Sequence, residues 1–233
     1  MNFKLYLIPT ILAPETQDKT LSPQVIEKIK ELNIFFVENL KTARRFISSL
    51  KLGKVIDEIT FYELTKNSNF DETFEIISQL PEDAGILSEA GCPGIADPGA
   101  LAVDIAHQLD MEVIPLVGPS SILLALMASG FNGQSFAFHG YLPIDKKERA
   151  RRVKELERLA LTSGQTQLFM ETPYRNNQML DTIVKTCNPN TKLSISANLT
   201  GEDAISKTMR IEKWKSVKEI DLHKKPAIFG FGN

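Results

Sequence analysis

Cysteine is scarce in this chain of 233 residues: Cys92 and Cys187 are the only two, far apart in sequence. That excludes a disulfide framework and fits a reducing compartment. Histidine is almost as rare. His107 falls in a helical pattern, His139 in the string FAFHG and His223 in a Lys-rich tail, so no Cys/His spacing suits zinc, and no metal is expected. A dominant charge is missing too. The formal net charge of −2 gives no global pull toward nucleic acid or membrane, so a polyanion would have to meet a local basic face. Long apolar runs are absent. Ile122 to Ala128 is far shorter than the roughly 20 residues a membrane helix needs. The opening MNFKLYLIPT is interrupted by Pro9 and does not read as a signal peptide. Repeats and low-complexity tracts are lacking as well. The expectation is a cytoplasmic protein.

What is present is ordinary for a globular chain: 42% hydrophobic and 24% charged residues, enough for one large or two modest domains. In the first half, short apolar runs at Leu5–Ile8, Ile34–Val37, Ile59–Tyr62, Ile86–Leu87 and Val113–Ile114 predict strands covered on both faces. Helical patterns alternate with them at Gln24–Leu32 (after the Ser22-Pro23 start signal), Thr42–Leu50, Glu72–Leu80 and Leu101–Leu109. This alternation predicts a mostly parallel sheet. The second half differs. A helix over Ile122–Ser129 precedes strands at Phe136–Phe138, Thr166–Met170, Leu193–Ala197 and Ala227–Gly232, with helices at Lys146–Leu161 and Arg175–Thr186, and a mixed sheet follows. The fold class is therefore α/β with two α/β domains, 1–117 and 118–233, and a ligand cleft expected between them.

Two loops stand out. Leu87 to Gly99, LSEAGCPGIADPG, puts three glycines and two prolines directly after an apolar strand. Leu116 to Ser121, LVGPSS, follows the next strand and leads into a helix. Glycine lets backbone approach a ligand closely, and proline stiffens the turn. Rigid loops at strand carboxyl ends are where open α/β sheets bind small molecules, although such loops also serve simply to turn the chain.

LSEAGCPGIADPG, VIPLVGPSSILLALMASG and FAFHGYLP, in this order and spacing, resemble the SAM-dependent tetrapyrrole methylase superfamily. Within it they are most similar to the ribosomal RNA small subunit methyltransferase I branch, whose pattern is SDAGTPxISDPG, PLPGPxAxxxALxxSG and FxFxGFLP. The resemblance implies two α/β domains, S-adenosyl-L-methionine (SAM) held in a cleft between them, a homodimer, and 2′-O-methylation of a cytidine ribose in small-subunit ribosomal RNA. The chain departs from the branch where PTPIGN becomes Pro9-Thr10-Ile11-Leu12-Ala13-Pro14, AEDTR becomes Val37-Glu38-Asn39-Leu40-Lys41, and ARELTK becomes Ser196-Ala197-Asn198-Leu199-Thr200-Gly201. Glu89 and Cys92 replace the usual aspartate and threonine of the first loop. The cofactor-facing loops are thus kept better than the segments expected near substrate. Methylation of a tetrapyrrole or other small molecule, and cofactor binding without catalysis, remain open alternatives.

Transfer of a methyl group from a sulfonium needs donor and acceptor held in line with water excluded. Main-chain groups on tight loops suit that task, so the expected cofactor contacts are Ser88, Ala90, Gly91, Cys92, Pro93 and Ile95, then Gly118, Pro119, Ser120 and Ser121. Met170 and Asn198 join them by resemblance. A ribose hydroxyl wants a base, and Glu38 and Glu171 are the candidates. Asp97 is expected to cap the helix that follows, and His139 to be structural. The strongest basic cluster, Lys146, Lys147, Arg149, Arg151 and Arg152, is the expected RNA contact. The glutamates among these cations, Glu148, Glu155 and Glu157, would equally suit a solvated helix face. Arg44, Arg45, Lys51 and Lys54 make a lesser cluster, and Lys213, Lys215 and Lys218 a third.

Overall fold

The computed structural model describes residues 3–217 and 220–233, so Lys218 lies outside the described residues. The chain forms two units, Met1–Ser120 and Ser121–Asn233. In the first, β1 (Lys4–Ile8), β2 (Ile34–Val37), β3 (Thr60–Glu63), β4 (Ala84–Leu87) and β5 (Glu112–Pro115) make an all-parallel sheet in the order β3-β2-β4-β1-β5. The helices between them are α1 (Gln17–Thr20), α2 (Pro23–Glu31), α3 (Leu40–Ser49), α4 (Phe70–Ser78) and α5 (Gly99–Gln108). Helix α1 has no counterpart in the apolar periodicity, being a single turn with no buried residue.

Both faces of this sheet are covered. Val25, Ile29, Ala43 and Ile47 of α2 and α3 pack on Ile8, Phe35 and Val37, while Ile77, Ala102 and Ile105 of α4 and α5 pack on Leu5, Phe36 and Ile86. The central strands β2 and β4 are buried at every position, and the edge strands β3 and β5 are half-exposed. Burial on both faces is why the strands read as continuous apolar runs rather than alternations. Helix starts follow side-chain caps. Ser22 Oγ accepts from Val25 N, Asn39 Oδ1 from Thr42 N and Asn69 Oδ1 from Asp71 N. The last two caps start α3 and α4 two residues earlier than periodicity predicts.

The second unit is a mixed sheet in the order β6-β7-β10-β8-β9. It comprises β6 (Phe136–Tyr141), β7 (Thr166–Glu171), β8 (Lys192–Ala197), β9 (Ile205–Arg210) and β10 (Ala227–Gly232). Only the β6–β7 pair is parallel. Helix α6 (Ser121–Ser129) packs on one face through Ala125 and Leu126 against Leu168, Met170 and Ile228. Helices α7 (Lys146–Ser163) and α8 (Asn176–Thr186) cover the other, where Val153, Leu156, Met179 and Ile183 surround Phe169, Phe229 and Phe231. Leu168, Phe169 and Met170 alternate between the faces, as the two-residue period of a strand requires. Strand β9 and the short helix α9 (Ile211–Trp214) escape the apolar-run criterion. The sequence of β9, ISKTMR, is an edge strand with exposed Ser206 and Lys207.

Candidate functional site

The two Gly/Pro loops meet in the first unit. After β4, the Ser88 hydroxyl donates to Gly91 O at 2.7 Å, and Thr10 N, just past β1, donates to the same carbonyl at 2.9 Å. Gly91 holds φ +78°, and a Cβ there would press on Pro119 O at 3.1 Å. Cys92 Sγ donates to Pro119 O at 3.4 Å. Gly118 of the second loop lies against Pro9, where a Cβ would fall 2.2 Å from Pro9 Cγ. The carboxyl ends of the adjacent strands β4, β1 and β5 are thereby tied into one rigid assembly. Gly118 is expected as a cofactor contact, and Pro9 leaves no room for a side chain at this position.

Asp97 shapes the rest of the first loop. Its Oδ1 accepts from Gly94 N (2.7 Å) and from Gly99 N (2.9 Å), the first residue of α5. Its Oδ2 is buried with no hydrogen-bond partner among the described residues. Burial pushes the Asp97 carboxyl above its usual range, against the pull of those two amides. Ala96 takes φ +63° beside it. A Cβ on Gly94 would meet nothing within 4 Å, and Ala90 and Ile95 are exposed. The loop is therefore tight toward Pro119 and open on its other side.

A cavity of about 590 Å³ opens at the carboxyl ends of β1, β2 and β4. Its walls are largely apolar, from Leu12, Val37, Ala43, Phe46 and Leu87, and the first loop lines it with Ser88, Glu89 and Ala90. Strands β2 and β4 are followed by connections that leave in opposite directions across the sheet, the usual position of ligand clefts in open α/β sheets. Glu38 stands in this cavity. It is half-buried, and its Oε1 accepts weakly from Glu89 N at 3.4 Å. Burial raises its pKa first, and the neighbouring carboxylates Asp97 and Glu89 add to the shift. Leu12, Arg45 and Phe46 also line the cavity. They are not among the expected site residues, because only the fold brings the end of β1 next to α3.

The second unit places the remaining candidates differently. Glu171 has a fully buried side chain. Its Oε1 accepts from Arg175 Nη2 at 2.5 Å and from Thr172 N at 2.7 Å, while its Oε2 has no partner among the described residues. The expectation of Glu171 as a base meets this correction: the carboxylate is locked in an ion pair that braces the turn into α8. Met170 is part of the apolar cluster under α6. Asn198 adopts φ +47° and donates to Asp203, which also pairs with Lys225. Ser121 opens α6.

Of the expected RNA contacts, Arg149 is corrected outright. It is only 5% exposed, its Nε donating to Thr182 Oγ1 and its Nη1 to Ile144 O. Its position in α7 faces α8, which the cation count of the sequence could not show. Arg152 is half-buried, ion-paired with Glu155 at 2.8 Å and bonded to His139 Nδ1 at 3.0 Å. His139 Nε2 in turn meets Gln167 Oε1 at 2.7 Å, a structural arrangement. Glu157 is also corrected. It is buried, accepting from Asn188 N and Thr191 Oγ1 rather than facing solvent. Lys146, Lys147 and Arg151 are exposed. Among the described residues no three His, Cys, Asp or Glu side chains are grouped to hold a metal ion, and no helix is long and apolar enough to cross a membrane.

No family model matches the chain. Relatives named "Ribosomal RNA small subunit methyltransferase I" do. That of Buchnera aphidicola subsp. Schizaphis graminum is 28% identical over 84% of this chain and 65% of the relative. That of Bacillus subtilis is 29% identical over 78% of the chain and 59% of the relative. The match thus spans less than two thirds of these proteins. The Borrelia garinii relative is covered to 93% of its length, at 25% identity over 92% of this chain. Among solved structures, diphthine synthase superposes with a TM-score of 0.69 at 13% identity, covering 98% of this chain and 89% of that one. The methyltransferase CobJ gives 0.60 at 13% identity, with 100% and 95% covered. The chain is thus similar along most of its length to proteins of that name, and it shares its fold with these solved structures. Its two α/β units, one all-parallel and one mixed, make up that fold. The coupled Cys92 and Pro119 loops carry the strings that resemble the methylase pattern.

Proposed function

We propose that the chain is a SAM-dependent methyltransferase whose acceptor is a ribose 2′-hydroxyl of small-subunit ribosomal RNA. The observation that carries this reading is the junction of the two loops at Cys92 and Pro119, in a chain whose similarity to proteins named for that activity runs along most of its length. The loop residues fit SAM. The open side of Gly94, the exposed Ala90 and Ile95, and the orphaned buried Asp97 Oδ2 describe a loop that is braced from behind and unfilled in front. Ser88 closes that loop through its hydroxyl, and Gly91, Cys92 and Pro93, with Gly118, Pro119 and Ser120, would present main chain to the cofactor. Ser121, Met170 and Asn198 complete the set of proposed contacts. When bound, SAM supplies an electrophilic methyl group on a sulfonium.

The chain's own task is positioning. Gly91, Pro119 and Pro9 leave the loops no slack, so groups on them stay fixed without a reorganisation cost at the moment of reaction. The apolar walls of the cavity exclude water from the space beside Ser88–Ala90. Glu38, desolvated and held only weakly by Glu89 N, is free to accept the acceptor's hydroxyl proton at Oε1. Departures at the Pro9, Val37 and Ser196 segments tune the acceptor side. A cytoplasmic homodimer belongs to the same reading; α6 is apolar around its circumference and exposes Met127, which suits association. Incubation with methyl-labelled SAM and small ribosomal subunits, followed by mapping of the label, tests the function. Label on a ribose of the RNA is the expected result. In a parallel incubation with a tetrapyrrole acceptor, label only there, or SAM binding without turnover on either acceptor, would replace it with one of the alternatives.

A further inference from the structure

A second cavity, of about 360 Å³, lies in the second unit, where the start of β8 meets the end of β9. Lys192 and Arg210 sit directly opposite each other in the β8–β9 register, and Lys213 follows on α9. All three line the cavity and are exposed; no carboxylate lines it, and none of the three forms an ion pair with a described residue. Among the described residues, the contact made by these three side chains, Arg210 Nη1 to Asn190 Oδ1 at 3.4 Å, is to a neutral group. The basic helix α7 is different, since its Arg149 is buried and its Arg152 neutralised.

An aromatic wall completes the cavity. Phe131 lies over the glycine-lined end of β10: a Cβ on Gly232 would fall 2.4 Å from Phe131 Cγ, and one on Gly230 would come within 3.8 Å of Cε2. Gly232 is paired with Lys192, which sets ring and cation side by side. The turn carrying Phe131 is pinned. Gly130 holds φ +73°, Phe131 N donates to Ser129 Oγ at 3.0 Å, and Thr208 Oγ1 donates to Ser129 O at 2.8 Å. Unneutralised cations beside a fixed aromatic surface are the combination by which proteins hold single-stranded nucleic acid, phosphates on the cations and a base on the ring.

We propose that Phe131, Lys192, Arg210 and Lys213 form a docking site for a single-stranded segment of the RNA substrate. The proposal rests on the methyltransferase reading above and adds to it where the polymer is gripped. Met170 and Asn198 lie at the opposite end of the same sheet. Lys192 and Ala197, the two ends of β8, are separated by about 17 Å of extended strand, a distance that several nucleotides of chain span.

The test uses the full chain and a fluorescent single-stranded RNA oligonucleotide of mixed sequence, titrated by anisotropy over a range of salt. The triple substitution K192Q/R210Q/K213Q is expected to weaken binding at least about tenfold and to make the log-affinity against log-salt slope shallower by roughly 2. F131L, which keeps an apolar side chain over the glycines, is expected to weaken binding about fivefold with the slope unchanged. SAM affinity by calorimetry should stay at the parent value in both variants and reports an intact fold. Parent-like affinity and slope in the triple variant would overturn the docking site, while continued methylation of small subunits would leave the enzymatic reading standing. A parent that binds RNA through these residues but methylates no RNA would overturn the enzymatic reading and keep the site. Polyaspartate competing as well as RNA would overturn the assignment to nucleic acid.

Discussion

At the scale of single residues, Gly118 shows how close the loops approach. Gly118→Val places its side chain inside the van der Waals space of Pro9, so the second loop must shift or Pro9 must. Overpacking of this kind costs about 1–3 kcal/mol, measurable as a lowered urea midpoint. SAM affinity by calorimetry is expected to fall below detection, because Pro119 O would leave Gly91 and Cys92. Glu38 carries the chemistry proposed for the site. Its pKa is raised by burial and by Asp97 and Glu89, and only its deprotonated form accepts a proton. Activity is therefore expected to rise with pH through a value above that of an ordinary glutamate and then to level off. Glu38→Gln should lower kcat by about 10²-fold and abolish that acidic limb, with SAM affinity retained; an unchanged pH profile would remove Glu38 from the proton transfer. Both roles were half legible in the sequence. The glycine and the carboxylate sit in recognisable strings, but the proline wall and the neighbouring carboxylates come from segments tens of residues away.

Helix α7 decides the matter at the scale of elements. Read as a string, its cations form one cluster; folded, they divide by helical phase. Arg149→Ala leaves Thr182 and Ile144 O short of a donor and is expected to destabilise the chain by about 1–3 kcal/mol, with no change in the salt dependence of RNA binding. Lys146, Lys147 and Arg151, replaced together by Gln, should show the reverse: unchanged denaturation, and a shallower salt slope if this face touches RNA. Identical effects from the two sets would contradict the burial. The strands show the complementary lesson. Central β2 and β4 are legible as apolar runs because both faces are covered. Edge strand β9 is not, because both of its faces are partly exposed, which permits adjacent Ser206 and Lys207 where a buried strand would need Val or Ile.

For the whole molecule, the balance of 27 basic and 29 acidic side chains leaves little net field, so the proposed RNA binding would rest on local patches. Added SAM is expected to stabilise the native chain by about 2.7 kcal/mol at a hundredfold excess over its Kd. By hydrogen exchange, the new protection should concentrate in residues 88–99 and 116–121. Protection spread evenly over all elements would argue against those loops as the cofactor's main hold.

Local sequence by itself determined the alternation of strands and helices and the two Gly/Pro loops, because these depend on short-range periodicity, capping and turn chemistry. The tertiary structure alone decided which charges are spent internally: Arg149 on Thr182, Glu171 on Arg175, Glu157 on Thr191. It alone set Lys192 opposite Arg210 and beside Phe131. Burial and strand register are properties of packed elements, and no count of residues along a chain contains them.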